Sequence, residues 1–321
     1  MLRDEYGIHK IAIASRMFGF VVNSFFVERP CPTLIDVPPD EQIYLDKLQA
    51  GLGKAGYSLR DIERIIITHP HFDHFGAART IAGMSGAEIW VGEKGIQWFL
   101  DFEKEIHAEE VGRRAFLLQW GAGDDEVRVV DDYYRRANPL AKSVEPARRL
   151  REGDLFDLST LVFTVASVPG HTPWCILFHD VENRIAFSGD FLQTVTSNPL
   201  IQRNAKPLPL YNSLRSYIGS LEAACEAGLQ IALPGHGEII ADGSERARHI
   251  LAVISRRRKA ILRLLKKPGQ TPAEISRRLF PDLLPGRLFN ALSEITAHLE
   301  ILEEGSLVRR VGDNPVRFSA L

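Results

Sequence analysis

Little in this chain could anchor it in a membrane or staple it covalently. Its three cysteines, Cys31, Cys175 and Cys225, lie far apart and give no disulfide framework. No stretch approaches the roughly 18–20 apolar residues that a membrane span needs. The opening Met1-Leu2-Arg3-Asp4-Glu5 has no apolar signal core. These absences lead to the expectation of a cytoplasmic protein without a membrane partner. A strong excess of one charge is missing too, because 39 Lys and Arg nearly balance 41 Asp and Glu. What remains is a chain of 321 residues, 45% hydrophobic and 25% charged, enough for one large core and a smaller second unit.

The near-neutral total hides a division. Residues 246–321 hold 15 Lys and Arg against 7 Asp and Glu, whereas residues 1–245 hold 24 against 34. The expected organisation is therefore a domain over 1–245 and a small basic one over 246–321, with the boundary near 240–255. In the first part, strand-like runs fall at 19–27, 33–37, 65–68, 88–91, 161–168, 176–179, 185–188 and 231–233. Helical stretches separate some of them, notably Asp40 to Ala55. That mix implies an α+β sandwich of sheets flanked by helices, with loops at strand ends carrying the chemistry.

The chemistry concentrates in Thr68-His69-Pro70-His71-Phe72-Asp73-His74, directly after the apolar Ile65-Ile66-Ile67. In an extended segment, residues two apart point the same way, so His69 and His71 can grip one cation. Asp73 and His74 lie where the chain turns and can face a second. Three further apolar runs end in a glycine turn that presents one candidate ligand each: Gly170-His171, Gly189-Asp190 and Gly235-His236. A lone histidine, or a Gly-Asp turn, is ordinary loop chemistry. Half of the ten histidines gathered in one pattern is not. Neutral imidazole and carboxylate together suit zinc, and also iron or manganese.

The pattern H-x-H-x-D-H, followed by a distant His, Asp and His, resembles the metallo-β-lactamase superfamily over roughly residues 10–245. The resemblance implies a four-layer αββα sandwich holding two divalent metal ions. It places His69, His71 and His171 on the first ion, Asp73, His74 and His236 on the second, and Asp190 between them. An aspartate at the bridging place resembles the glyoxalase II side of the superfamily rather than its antibiotic-hydrolysing members. Within that side the chain is most similar to the group of β-lactamase-like protein 2, with an appended winged helix. The implied activity is hydrolysis of a thioester or other small activated acyl ester by a hydroxide shared between the ions, with Asp73 both ligand and orienter. The arginine and lysine pattern by which glyoxalase II holds glutathione is not found, so S-lactoylglutathione is not the expected substrate.

Several residues keep two readings. Asp36, ending the strand-like Thr33-Leu34-Ile35, either holds a ligand histidine in its working tautomer or is a plain turn aspartate. Trp174 either narrows the pocket or packs beneath it, Cys175 reads as a small buried residue, and Tyr211 and Tyr217 are candidate oxyanion helpers. The aromatic-rich segment of about 95–147 is a helical insertion packed into the core, or a lid or homodimer surface shaping the pocket. After a long helix from Gly243 to Lys267, Thr271-Pro272-Ala273-Glu274 reads as a capping box. A helix to Phe280, another over 286–304 and a hairpin returning over 316–319 complete a winged-helix outline. That outline and its basic charge keep two alternatives open, a single-stranded RNA endonuclease and a nucleic-acid-binding regulator with a structural metal site.

Overall fold

The computed structural model describes residues 2–15, 19–194 and 213–321. Helix α1 (Leu2–Tyr6) leads into strands β1 (Ile8–Ser15), β2 (Phe20–Val27) and β3 (Thr33–Ile35). Helix α2 (Gln42–Gly53) precedes β4 (Arg64–Ile67), and the short α3 (Phe72–Phe75) and α4 (Ala78–Ser85) precede β5 (Glu88–Gly92). Three helices follow, α5 (Ile96–Leu100), α6 (Phe102–Gln119) and α7 (Asp124–Ala137), and β6 (Arg148–Leu150) closes a six-stranded sheet of order β1-β2-β3-β4-β5-β6. Strands β7 (Leu155–Leu158), β8 (Leu161–Ser167), β9 (Ile176–Asp180), β10 (Ile185–Gly189) and β11 (Ile231–Pro234) form the second sheet, with α8 (Ser213–Glu226) between the last two. Helices α9 (Gly243–Leu264), α10 (Pro272–Leu279) and α11 (Leu288–Glu304) and the hairpin β12 (Val308–Asp313) and β13 (Val316–Ala320) complete the chain.

Alternation along the strands dictates the layering. In β4, Ile65 and Ile67 pack with Leu45 and Leu48 of α2 and Ile81 of α4, while Ile66 faces the other way, toward Phe163, Phe178 and Phe187 of the second sheet. Strand β2 repeats this, with Phe26 outward under α2 and Phe25 and Val27 between the sheets. On the far side, Leu177, Ala186 and Ala232 pack under Leu221 of α8 and Ile250 of α9. The result is the expected four-layer αββα sandwich. Burying both faces of both sheets is what makes β4 and β10 read as unbroken apolar runs.

Eight of the strands coincide with strand-like runs in the sequence to within two residues at each end. Strands β1, β6 and β7 are additions. His9 and Lys10 interrupt the apolar pattern of β1, and β6 is a three-residue edge strand that closes the sheet. Segment 95–147 is helical, and its aromatics divide between two cores. Phe99 and Phe102 join the cluster outside the first sheet, whereas Leu117, Trp120, Val127, Val130 and Tyr134 share a separate one with Phe289, Leu292, Ile295 and Phe318 of the C-terminal elements.

Those C-terminal elements follow the expected order of helices and hairpin. Asp242 caps α9 through Glu245 N at 2.7 Å. The capping box of α10 is formed in both directions, Thr271 N donating to Glu274 Oε2 at 2.9 Å and Glu274 N to Thr271 Oγ1 at 3.1 Å. Helix α11 holds the position from which a winged helix reads DNA, yet every residue from Leu288 to Leu299 is buried. It has no solvent-facing side there to lay in a groove. No helix among the described residues is long and apolar enough to cross a membrane.

Candidate metal centre

Four loops at strand ends deliver the seven candidate residues to one place. The segment after β4 presents His69 and His71, and α3 turns at once so that Asp73 and His74 face inward. His171 follows β8, Asp190 follows β10 and His236 follows β11. Glycines allow the approach. A Cβ on Gly170 (φ +156°) would lie 2.4 Å from Tyr217 Cβ, and one on Gly189 (φ +48°) 2.6 Å from Thr68 Oγ1. A Cβ on Gly235 would sit 2.4 Å from His74 Cε1 and 2.7 Å from Asp190 Oδ1. Asn23 of β2 pins the last loop, its Nδ2 donating to Pro234 O and Gly237 O at 2.8 and 2.9 Å.

Two donor sets result. His71 Nδ1 lies 3.0 Å from both His69 Nε2 and His171 Nε2. In the other set, His74 Nε2 is 3.3 Å from His236 Nε2, and His236 Nε2 is 3.5 Å from Asp73 Oδ2. Asp190 spans them, Oδ1 at 3.3 Å from His74 Nε2 and Oδ2 at 3.4 Å from His171 Nε2 and 3.5 Å from His236 Nε2. Tetrahedral zinc with Zn–N bonds of ~2.0–2.1 Å needs donors roughly 3.3 Å apart, close to these separations. Asp190 Oδ1 is buried and makes no hydrogen bond among the described residues. A carboxylate oxygen sealed from water in that way suits a cation.

Outward hydrogen bonds set the tautomers. His236 Nδ1 donates to Val21 O at 2.7 Å, since a carbonyl can only accept. His74 Nδ1 donates to Asp36 Oδ2 at 2.8 Å. The Thr68 hydroxyl also donates to Asp36 Oδ2, at 2.7 Å, so it is left to accept from His69 Nδ1 at 3.0 Å. In each case Nε2 keeps its lone pair for the interior, as a ligand must. Asp36 is thus no plain turn residue: it is buried, holds His74, and accepts from Thr68 N at 2.8 Å.

The electrostatics agree with two sets that would receive cations. Burial, then the neighbouring imidazoles His74 and His71, hold His69 far below its ordinary value, and burial with His171 pushes His71 down to about 3. Both stay neutral. Burial would raise Asp73 and Asp190, but the surrounding histidines outweigh it and keep both ionised. Burial likewise opposes charge on His74 and His236, yet Asp190 and Asp73 raise both. The carboxylates thus draw positive charge to this set, the charge that a bound cation would supply.

The remaining candidates fall into place around this core. Cys175 is buried beneath Thr172, and burial lifts its thiol to about 12, so it is an inert packing residue. Tyr217 is no oxyanion helper: fully buried, it donates to Phe191 O at 2.7 Å and backs the Gly170 turn. Tyr211 lies outside the described residues. Trp174 does both things expected of it as alternatives, packing on Trp98 with ring centroids 5.1 Å apart and lining a cavity. That cavity, of about 480 Å³, runs from His71, Asp73, Asp190 and His236 to the helices of 95–147 and the C-terminal elements. Of its distant wall, Glu109 and Tyr133 belong to the segment 95–147 that the sequence left open as one shaping the pocket, whereas the share of Phe280 and Asn290 was not read from the sequence. The clustering of aromatics over 98–134 was the one available signal.

Residues 18–240 match the family model of the metallo-beta-lactamase superfamily. Over 305 residues the chain is 25% identical to the probable metallo-hydrolase YqjP of Bacillus subtilis (strain 168), an alignment covering 92% of each protein. Over 190 residues it is 30% identical to the acyl-coenzyme A thioesterase MBLAC2 of Gallus gallus, spanning 56% of this chain and 58% of that one. The crystal structure of a metallo-beta-lactamase family protein from Thermus thermophilus shares the fold, with a TM-score of 0.82 at 24% identity over 98% of this chain and 99% of the other. By that family model, which matches more than half of its residues, the chain belongs to the metallo-beta-lactamase superfamily.

Proposed function

We propose that this protein is a dinuclear metal-dependent hydrolase of acyl thioesters or similarly activated small acyl esters. The observation that carries the reading is the convergence of two largely buried donor sets, with Asp190 between them, at one end of a cavity that is also lined by aromatic and aliphatic side chains. The acyl-CoA thioesterase MBLAC2 among its relatives supports the substrate class.

In this reading His69, His71 and His171 would hold one cation and Asp73, His74 and His236 the other, with Asp190 lying between the two sets. The set of five imidazoles and two carboxylates points to zinc, with iron or manganese as the other metals it accommodates. When bound, such a pair supplies a water ionised near neutral pH and polarises the carbonyl under attack. The chain's own residues do the rest. Asp73 accepts a hydrogen bond from the attacking water and so aims it at the carbonyl carbon. Asp36 and Thr68 keep His74 and His69 in the tautomers that bind. Trp98 and Trp174 form an apolar side wall that keeps bulk water from the reacting carbonyl. Water adds at the acyl carbon, the carbon–sulfur bond breaks, and the products are a carboxylate and a thiol.

The test is direct. Protein loaded with two equivalents of zinc is expected to release thiol from short acyl thioesters, and Asp73→Ala is expected to lose that activity while keeping the native circular dichroism spectrum. Full loading with no cleavage of any thioester or activated ester would overturn the proposal.

A further inference from the structure

The cavity extends well beyond the candidate metal centre, and its distant part is built by elements that contribute no candidate ligand. Trp98 of α5, Phe102 and Ile106 of α6 and Tyr133 of α7 make up one wall, and Phe280, Leu283 and Ala291 of the C-terminal elements the other. The two walls are joined. Helices α6 and α7 share a core with α10 and α11, Arg277 reaches Glu126 at 2.6 and 3.0 Å, and Gly286 packs so closely that a Cβ there would lie 3.0 Å from the Tyr133 ring.

The charge in this chamber decides which part of a thioester can enter. Glu109, Asp282 and Glu294 face it, against Arg257 and Arg287. Arg257 is paired with Glu294, and Arg287 lies over the Tyr133 ring with its guanidinium carbon 5.3 Å from the centroid. A phosphate or carboxylate entering here would find three carboxyl side chains against two guanidiniums, one of them already paired, so the chamber offers no net positive charge to receive it. An uncharged hydrocarbon chain would meet aromatic and aliphatic surface. The volume of about 480 Å³ lies within the roughly 300–1,000 Å³ typical of sites that enclose a small ligand.

On the thioesterase reading above, we infer that the chamber between α6–α7 and the C-terminal elements is the acyl-chain site. The anionic part of the thiol stays outside it, and Ile106 and Ala291, one from α6 and one from α11, set the chain length. The C-terminal unit is then a specificity element, a use that accounts for a helix–turn–helix whose α11 is buried from Leu288 to Leu299.

The experiment measures kcat/KM of the zinc-loaded protein for acetyl, butyryl, hexanoyl, octanoyl and decanoyl esters of coenzyme A. The same acids on N-acetylcysteamine, an uncharged short thiol, are run beside them. Each methylene that enters the chamber is expected to raise kcat/KM by up to about fourfold until the chamber is full. The slope should be the same for both thiols. Ile106→Phe and Ala291→Phe are each expected to move the optimum to a shorter chain, lowering the ratio of decanoyl to butyryl kcat/KM at least about tenfold by overpacking the chamber. Thermal melting identifies whichever variant is folded. Turnover with a flat chain-length profile, or a folded variant with the wild-type profile, overturns the acyl placement and leaves the hydrolase reading standing. Absence of cleavage throughout the series would instead remove the hydrolase reading and this one with it.

Discussion

Replacing Asp36 by asparagine tests the candidate centre without touching a proposed ligand. The carboxylate accepts three hydrogen bonds, from Thr68 N (2.8 Å), Thr68 Oγ1 (2.7 Å) and His74 Nδ1 (2.8 Å). Asparagine has nearly the same shape and tolerates the left-handed backbone at this position, φ 55°. Its amide cannot accept all three. With the amide oxygen toward Thr68 N, the NH2 group points at His74 Nδ1, and the imidazole must move its proton to Nε2. That atom is the one lying 3.3 Å from both His236 Nε2 and Asp190 Oδ1, and once protonated it cannot bind a cation. With the amide turned over, its NH2 opposes the buried Thr68 N–H, a loss of about 1–3 kcal/mol. Either way the second set suffers most, and its metal affinity is expected to fall ~10–100-fold, as for other partners that orient a ligand. Competition titration against a zinc chelator, with metal content by elemental analysis, reads the effect on each site. Asp36→Asn retaining two equivalents within about threefold of wild-type affinity would refute the tautomer argument. Asp36→Ala adds backbone strain of ~1–2 kcal/mol at a positive φ and should melt earlier than the asparagine variant.

Other consequences follow from single residues. His298 is fully buried with neither ring nitrogen hydrogen-bonded among the described residues, and burial, then Arg258 and Arg257, push it down to about 3. Because its folded value lies below the unfolded value of about 6.5, its stabilising effect is complete above that pH. It is lost on acidification toward 3, at up to about 1.4 kcal/mol per pH unit. His298→Leu should flatten urea-denaturation stability over that window, and an unchanged slope would contradict it. Gly121, at φ +90° with a prospective Cβ 2.7 Å from Thr271 Oγ1, should lose about 1–3 kcal/mol on change to alanine, seen as a lower urea midpoint. Chelation should lower Tm in proportion to the logarithm of free zinc, since cations that bind only the folded chain stabilise it by mass action. A Tm indifferent to zinc would count against both sites.

The candidate site was far more legible in the sequence than the pocket that serves it, and the difference is one of range. His69, His71, Asp73 and His74 announce themselves because an extended segment and a single turn bring their side chains together within six positions. His171, Asp190 and His236 are legible for a related reason: each ends an apolar strand at a glycine, and strand ends in a two-sheet sandwich converge on one edge. Strands such as β4 and β10 were visible because burial on both faces leaves an unbroken apolar run, whereas β6, three residues long with Arg148 and Arg149 in it, leaves almost no local signature. The role of Asp36 depended on a contact 38 positions away with His74, which no spacing rule supplies. Phe280 and Tyr133 meet around one cavity only because α7 and the C-terminal helices share a core. Their aromatic character was plain, but their common destination was not.

That difference bears on how the molecule divides its work. The two donor sets are held by backbone turns, glycine contacts and outward hydrogen bonds, all within the sandwich, so they tolerate little change: even a methyl group on Gly235 collides with His74 and Asp190. The chamber is walled by side chains of Ile106 on α6, Leu283 in the turn after α10 and Ala291 on α11, and a core separate from the sandwich ties α6 and α7 to α10 and α11. Exchange of one such side chain alters the space available to a ligand without moving a donor atom at the centre. Rigid chemistry on strand ends and adjustable selectivity on an attached helical unit can therefore vary independently. Variants that exchange apolar side chains along the chamber should accordingly change which acyl chains are accepted while the zinc content of the protein stays at two.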